Sequence, residues 1–474
     1  MKPFHIYNSL SRTIEEFRPA NPPEVTYYSC GPTVYLPQHL GNMRAYVFVD
    51  TLRRALEYNG YAVRHVMNIT DVGYMTSDED AGEDKVEKTA RAEGKSPLEI
   101  ANRYIAQFKH DCALLNIELP KPPLLSRATD HVPQMISLIE RIVRNGLAYI
   151  VPSGVYFDVL KWRGPSGIGR LSRQSLDDQH SGQRLDHASD KKSPHDFALW
   201  VLDQPHHLMQ WDSPWGRGYP GWHIECSAMS MQYLGATLDI HSGGLDHIPV
   251  HHENEIAQSE SATGQPFVRY FVHNAFLVGM EGAKISKSAG KFPVVQDLIT
   301  AGINPLAFRM LCLGAKYRSE LAFSLEAVRG AERNLEYLYN FAASQSDANS
   351  NSDAEWSDQF RERIHDGFNN DLNTPQALAA VLELVAEAYR RNDRRIWGAL
   401  EASDAVFGFQ LAKARDEAHR PPPDEIVRLS EERAEARRNK DFARADLLRS
   451  QLLSMGYVIE DTAGGARLKR RWEA

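Results

Sequence analysis

Residues 24–69 read as strand, turn, helix and strand, and this succession restricts the possible folds more than any other feature of the chain. Glu24-Val25-Thr26-Tyr27-Tyr28-Ser29 has the aromatic and β-branched content of a strand, and Gly31-Pro32 ends it. Ala45, Val49, Leu52 and Leu56 then fall at helical spacing, and Gly60 supplies a stop before a second strand over Ala62-Val63-Arg64-His65-Val66-Met67-Asn68-Ile69. Two strands joined through a helix lie parallel in one sheet, so the expected class is α/β with helices on the sheet faces. At 474 residues the chain exceeds what a single hydrophobic core organises, and two to four domains follow.

Further along, Asp130 to Asn145 reads as a helix with Asp130 as its cap and Gly146 just beyond its end. Between Arg163 and Ser193 the composition turns to Gly, Ser, Asp and Lys with little periodicity, as in loop-rich structure inside an insertion that splits the sheet domain. Strand character resumes at Thr237-Leu238-Asp239-Ile240. From Leu306 the pattern is helical nearly to the end, interrupted by the polar stretch Ser344 to Asp353 and by Pro421-Pro422-Pro423, after which a last small unit begins near Asp424.

With 42% hydrophobic and 24% charged residues the composition is that of an ordinary globular protein. No apolar stretch is long enough to cross a bilayer, and Met1-Lys2-Pro3-Phe4-His5 carries no apolar leader, so a cytoplasmic chain without membrane contact is expected. A net charge of -8 does not exclude nucleic acid, because one basic face can sit on an acidic body. Cys30, Cys112, Cys226 and Cys312 are too sparse for a disulfide framework. Cys112 and Cys312 stand among apolar residues as small buried hydrophobes.

The chemistry-bearing residues fall into separated clusters. His251 and Glu255 are four apart, so on a helix both project from one face and can meet one ion; Cys30, at a strand end, and Cys226 would complete a tetrahedral set suited to zinc. A histidine and a glutamate at this spacing are also common surface neighbours, and His252 stands beside His251; the spacing to Glu255 favours His251. A zinc hydrolase is disfavoured by ligand order, since Glu255 stands where the second histidine of a zinc protease would be needed. His39-Leu40-Gly41-Asn42 lies between a strand and a helix start, where N–H groups and the helix dipole favour phosphate. Lys284-Ile285-Ser286-Lys287-Ser288, between Gly282 and Gly290, offers two ammonium groups on one loop; taken alone, such a loop is solvated surface.

Together and in this order, these clusters resemble the class I aminoacyl-tRNA synthetases, and the cysteine and histidine positions narrow the resemblance to the cysteinyl-tRNA synthetase family, over nearly the whole chain. His39-Leu40-Gly41-Asn42 is similar to the first family signature and Lys284-Ile285-Ser286-Lys287-Ser288 to the second, with Ile285 in place of methionine. The resemblance implies a Rossmann-like parallel-sheet catalytic domain split by an insertion, followed by an α-helical bundle and a small C-terminal domain. It sets residues 1–130 and 218–268 as the two halves of the catalytic domain, 131–217 as the insertion, 269–333 as the junction with the second signature, 334–420 as the bundle and 421–474 as the anticodon-recognising end.

The resemblance also implies the site. Cys30, Cys226, His251 and Glu255 would hold one zinc ion; Gly31, Thr70, Trp222 and His241 would line the amino-acid pocket. His39, Asn42, Gly243, Asp246, Lys284 and Lys287 would bind ATP with Mg2+, His39, Asn42, Lys284 and Lys287 acting in catalysis. The expected partners are L-cysteine, ATP and the tRNA specific for cysteine, with the chain acting as a monomer. Arg467, Lys469, Arg470 and Arg471 form a basic cluster suited to phosphate. After Asn68-Ile69-Thr70-Asp71 the segment from Val72 to Glu83 is longer than in most of the family, and no role is assigned to it. The nearest alternative is a cysteine ligase acting on an amino sugar, a relative lacking the anticodon-binding end; residues 424–474 argue for tRNA. A catalytically dead RNA-binding relative is disfavoured by the intact His39, Lys284 and Lys287.

Overall fold

The computed structural model describes residues 3–72, 85–162, 164, 167–175, 190–202, 207–279, 293–345, 353–462 and 465–470. Its centre is a five-stranded sheet in the order Val268–Asn274, Leu238–Gly244, Glu24–Ser29, Ala62–Ile69, Leu125–Arg127, with every neighbouring pair parallel. The pleat sends successive side chains to opposite faces. Tyr27 accordingly joins Leu52, Leu56 and Phe108 on one side, while Tyr28 joins Leu138, Met229 and Ile256 on the other. Each fully buried Leu or Ile of these layers contributes about 1.5–3 kcal/mol.

Helix Leu40–Tyr58 connects strands Glu24–Ser29 and Ala62–Ile69 and ends at Asn59, with Gly60 at φ +84°, a left-handed position that a side chain would strain. Counted along the sequence, the strand order reverses between Glu24–Ser29 and Leu238–Gly244. In a sheet of this kind a crevice opens at that switch point, outside the carboxyl ends of the two strands. Those ends are Cys30 and Gly244.

The insertion carries a four-stranded antiparallel sheet, Ala148–Val151, Gly154–Phe157, Ala198–Val201 and Tyr219–Pro220. It is preceded by helix Val132–Arg144, and here the sequence expectation needs correction: Asp130 lies inside a 3₁₀ turn, Ala128–His131, and the helix has no side-chain cap. Pro133 in its first turn starts it instead, where a missing N–H costs nothing.

Helices Pro305–Leu313, Leu325–Ala343, Asp358–Asn369, Thr374–Arg391 and Trp397–Phe407 form the bundle, and Leu335, Leu384 and Phe407 share one continuous apolar core with Leu52. Helices Asp424–Arg438 and Phe442–Ser454 precede an antiparallel hairpin, Tyr457–Thr462 with Gly465–Arg470, which the helical reading of this region did not anticipate. Ile426, Leu452 and Ile459 give this last unit a small core of its own. No described helix is long and apolar enough to cross a membrane.

Candidate active site at the carboxyl edge of the sheet

Cys30, Cys226, His251 and Glu255 come together with one ligand atom from each lying within 4.8 Å of the others. Cys30 follows the first strand, Cys226 lies on helix Trp222–Leu234, and His251 and Glu255 straddle a junction between a π-helical turn, Ile248–His252, and helix Glu253–Thr263. A π turn widens the helix locally and is common at functional sites. Cys226, His251 and Glu255 are buried, whereas Cys30 keeps a partly open side.

The fit to a metal can be tested on the geometry. His251 Nε2 and Glu255 Oε1 approach to 2.8 Å, yet Oε1 lacks the alignment of a hydrogen bond. Oε1 is thereby left an orphaned buried acceptor beside the His251 ring. Two thiols, an imidazole and a carboxylate in a dry setting suit zinc. Burial pulls the His251 imidazole down, but Glu255 and Cys226 outweigh it and push its pKa up to about 10. Burial would raise Glu255, yet His241 and His251 hold it well below the usual carboxylate range. The hydrogen bond between the thiols divides them, taking Cys226 down to about 6 and Cys30 well above its ordinary value.

A second group, Cys30, His241, His252 and Glu255, overlaps the first. Both nitrogens of His252 are engaged, Nε2 with Cys30 Sγ at 3.4 Å and Nδ1 with His273 Nε2 at 2.8 Å. His241 Nε2 meets Glu255 Oε2 at 2.5 Å. His251 Nδ1 is likewise engaged, with His223 Nδ1 at 2.7 Å, and the group that contains His251 is the one that includes both thiols.

Residues expected to line the pocket surround this cluster. A Cβ on Gly31 would lie 1.7 Å from the Asn68 carbonyl oxygen, so no side chain fits there. Gly31 N–H donates to Asn68 Oδ1 at 2.7 Å, Asn68 Nδ2 donates to Thr70 Oγ1 at 3.0 Å, and Thr70 Oγ1 donates to Glu225 Oε2 at 3.0 Å. The Trp222 ring stands 4.7 Å from that of His251. Asn68 and Glu225 escaped the sequence reading. The available signal for Glu225 was that it is the single acidic residue of helix Trp222–Leu234. Burial, Cys226 and Asp71 raise the Glu225 carboxyl well above its usual range.

On the nucleotide side, His39 precedes helix Leu40–Tyr58 and its Nδ1 accepts the Asn42 N–H at 3.2 Å, while Asn42 Nδ2 donates to Gln38 Oε1 at 2.7 Å. The positive end of that helix opens beside the crevice. Across it, Gly243 closes the Leu238–Gly244 strand so tightly that a Cβ would lie 2.4 Å from His247 Nδ1, and Asp246 is exposed just beyond. Lys284 and Lys287, residues 73–84 and Arg471 lie outside the described residues, and Arg467, Lys469 and Arg470 enter only through the hairpin backbone.

Comparison with known proteins agrees with this arrangement. Residues 16–333 match the family model of the tRNA synthetases class I (C) catalytic domain, and residues 423–467 match the cysteinyl-tRNA ligase anticodon binding domain. A cysteine–tRNA ligase of Treponema denticola is 42% identical over 98% of this chain and 99% of its own length. Cysteine–tRNA ligase 1 of Burkholderia lata is 44% identical over 98% of this chain and 97% of its own. Among solved structures, Mycobacterium tuberculosis methionyl-tRNA synthetase bound by methionyl-adenylate shares the fold at a TM-score of 0.55 and 17% identity, covering 82% of this chain and 89% of that one. With both matched domains in one chain and relatives of 42% and 44% identity covered over nearly their whole length, the protein belongs to the cysteinyl-tRNA synthetase family of class I aminoacyl-tRNA synthetases.

Proposed function

We infer that this chain activates L-cysteine with ATP, forming cysteinyl-adenylate and pyrophosphate, and then transfers cysteine to the 3′ end of its tRNA. The observation that carries the reading is the convergence of Cys30, Cys226, His251 and Glu255 at the switch point of the sheet. These four would hold zinc. A thiolate-rich zinc ion binds sulfur far better than a hydroxyl, which supplies selection of cysteine over serine.

The remaining roles fall to the chain's own groups. Gly31, Thr70, Trp222 and His241 surround the amino acid beside the metal ligands, leaving its carboxylate toward the nucleotide. His39 and Asn42, at the positive end of helix Leu40–Tyr58, with Lys284 and Lys287, stabilise the charge that develops on the α-phosphate as the carboxylate attacks. Gly243 and Asp246 seat the adenosine, with Mg2+ accompanying the triphosphate. In this reading the chain divides near 130, 217 and 420, the last boundary supported by the separate small core beyond it, whereas the expected cuts at 268 and 333 move, because Val268–Asn274 is a strand of the central sheet and Leu325–Ala343 is one helix. That unit matches an anticodon-binding domain, which favours tRNA over an amino sugar as acceptor. The chain is proposed to act as a monomer in the cytoplasm.

The test is replacement of Cys226 by Ser. Metal analysis of the purified variant should show less than one zinc per chain, with cysteine-dependent activation falling in parallel. Full zinc occupancy in the variant would place the ligands elsewhere.

A further inference from the structure

Thr70 is held by its backbone as well as its side chain. Its N–H donates to the Pro32 carbonyl at 3.0 Å and its carbonyl accepts from Val34 N–H at 3.2 Å, so the residue is fixed against the segment that follows Cys30. What remains to be set is the direction of its hydroxyl proton.

A threonine hydroxyl has one proton and two lone pairs. At Thr70 the proton goes to Glu225 Oε2 at 3.0 Å, and one lone pair takes a proton from Asn68 Nδ2 at 3.0 Å. The other lone pair is left. Glu225 is fully buried, so water does not compete for its bond to Thr70. Glu225 Oε1 has no hydrogen-bond partner among the described residues, so the only polar contact shown for this buried carboxyl is the one to Thr70. Burying such a group is costly, and a chain needing only packing here would be served better by Leu or Met.

We propose that Glu225 is a positioning residue for amino-acid recognition: by accepting the Thr70 proton it turns the Thr70 hydroxyl into an acceptor that receives the α-ammonium of the bound amino acid. This rests on the reading of the pocket given above. An α-ammonium has only N–H donors and an α-carboxylate only acceptor oxygens. A hydroxyl locked as an acceptor therefore welcomes the first and repels the second, and the amino acid is orientated with its carboxylate toward ATP. The assignment holds where Oε2 is the accepting oxygen, in the carboxylate and in the acid protonated on Oε1. Through Asn68 and Gly31 the same chain of bonds ties the segment after Cys30 to the helix of Cys226, so the ammonium contact is indexed to both thiols.

The experiment compares two ligands on the zinc-loaded full chain by calorimetry: L-cysteine and 3-mercaptopropionate, which keeps the thiol and carboxylate but lacks the amine. In Glu225→Met, L-cysteine affinity should fall about tenfold or more, the scale of a lost charge-assisted hydrogen bond, while 3-mercaptopropionate affinity stays unchanged. Glu225→Gln, whose amide oxygen can still accept, should recover most of the cysteine affinity. Equal weakening of both ligands in Glu225→Met, at normal zinc content, would show a merely structural role and overturn the proposal. Should Glu225→Met fail to fold, Thr70→Val is measured with the same pair, and an equal loss for both ligands again overturns it. If the unaltered chain binds no L-cysteine, the functional reading itself fails, an outcome distinct from either of these.

Discussion

The Leu40 N–H donates to the Pro293 carbonyl at 2.9 Å, and beside it the backbones of His39 and Val294 form a β-bridge. Pro293 follows residues 280–292, the segment that carries Lys284 and Lys287. On the other flank, the buried guanidinium of Arg44, on the same helix, donates to the Phe276 and Ser319 carbonyls. Pro293 and Phe276, which lie on either side of the segment carrying Lys284 and Lys287, are therefore both held to the helix that begins after His39.

Lys287→Ala should lower the rate of cysteine activation by about a hundredfold or more, the scale of removing one preorganised partner of developing charge. Binding of L-cysteine in the absence of ATP should be nearly unchanged, because the lysine charge is needed mainly in the transition state. Calorimetry and pyrophosphate exchange measure the two; an equal loss in both would assign Lys287 to amino-acid binding.

Asp50, on the same helix, pairs with Arg309 at 2.6 Å with both side chains fully buried, and Arg309 also donates to the Phe407, Leu115 and Asn116 carbonyls. Burial raises the Asp50 carboxyl, but Arg309, Arg54 and Arg53 outweigh it and bring its pKa down to about 2. A depressed carboxylate stabilises the fold above its unfolded pKa, about 3.9, and that contribution, about 2 kcal/mol, is lost as pH falls toward the folded value. Asp50→Asn should cost about 3–5 kcal/mol at neutral pH by leaving Arg309 buried without an anion. In urea titrations the gap between the two proteins should narrow from about pH 4 toward pH 2. A gap independent of pH would mean that the pair contributes through packing alone.

Local patterns carried the strand–helix–strand start, because Leu52 and Leu56 repeat at helical spacing and Gly31-Pro32 and Gly60 punctuate it. A candidate metal cluster could be read from the spacing of His251 and Glu255, although the sequence could not show that a π turn joins them. What lay beyond reach depends on distance. Nothing adjacent to Asp50 announces Arg309, and the Gly31–Asn68–Thr70–Glu225 chain assembles from three separate segments. The C-terminal hairpin was missed because Tyr457–Thr462 and Gly465–Arg470 carry charged residues where an apolar alternation would betray strands. Asp130 had the residue type of a cap, but Pro133 and the 3₁₀ turn set the start of that helix.

Removal of residues 424–474 should leave the sheet domain folded and adenylate formation largely intact, since Ile426, Leu452 and Ile459 form a core separate from that of the sheet. Charging of tRNA should fall, and the defect should deepen as salt rises, because the remaining complex would rely on phosphate contacts. Aminoacylation assays across a salt series check this. Undiminished charging by the truncated chain would remove the anticodon role from this unit.

The central claim, that this site selects sulfur and activates it with ATP, is tested most directly by pyrophosphate exchange into ATP with L-cysteine and L-serine as the varied amino acids. The account predicts exchange that depends on L-cysteine and is lower with L-serine by about 10⁴-fold or more, the discrimination reached by sites built around a substrate's polar group. Comparable exchange with serine would contradict it.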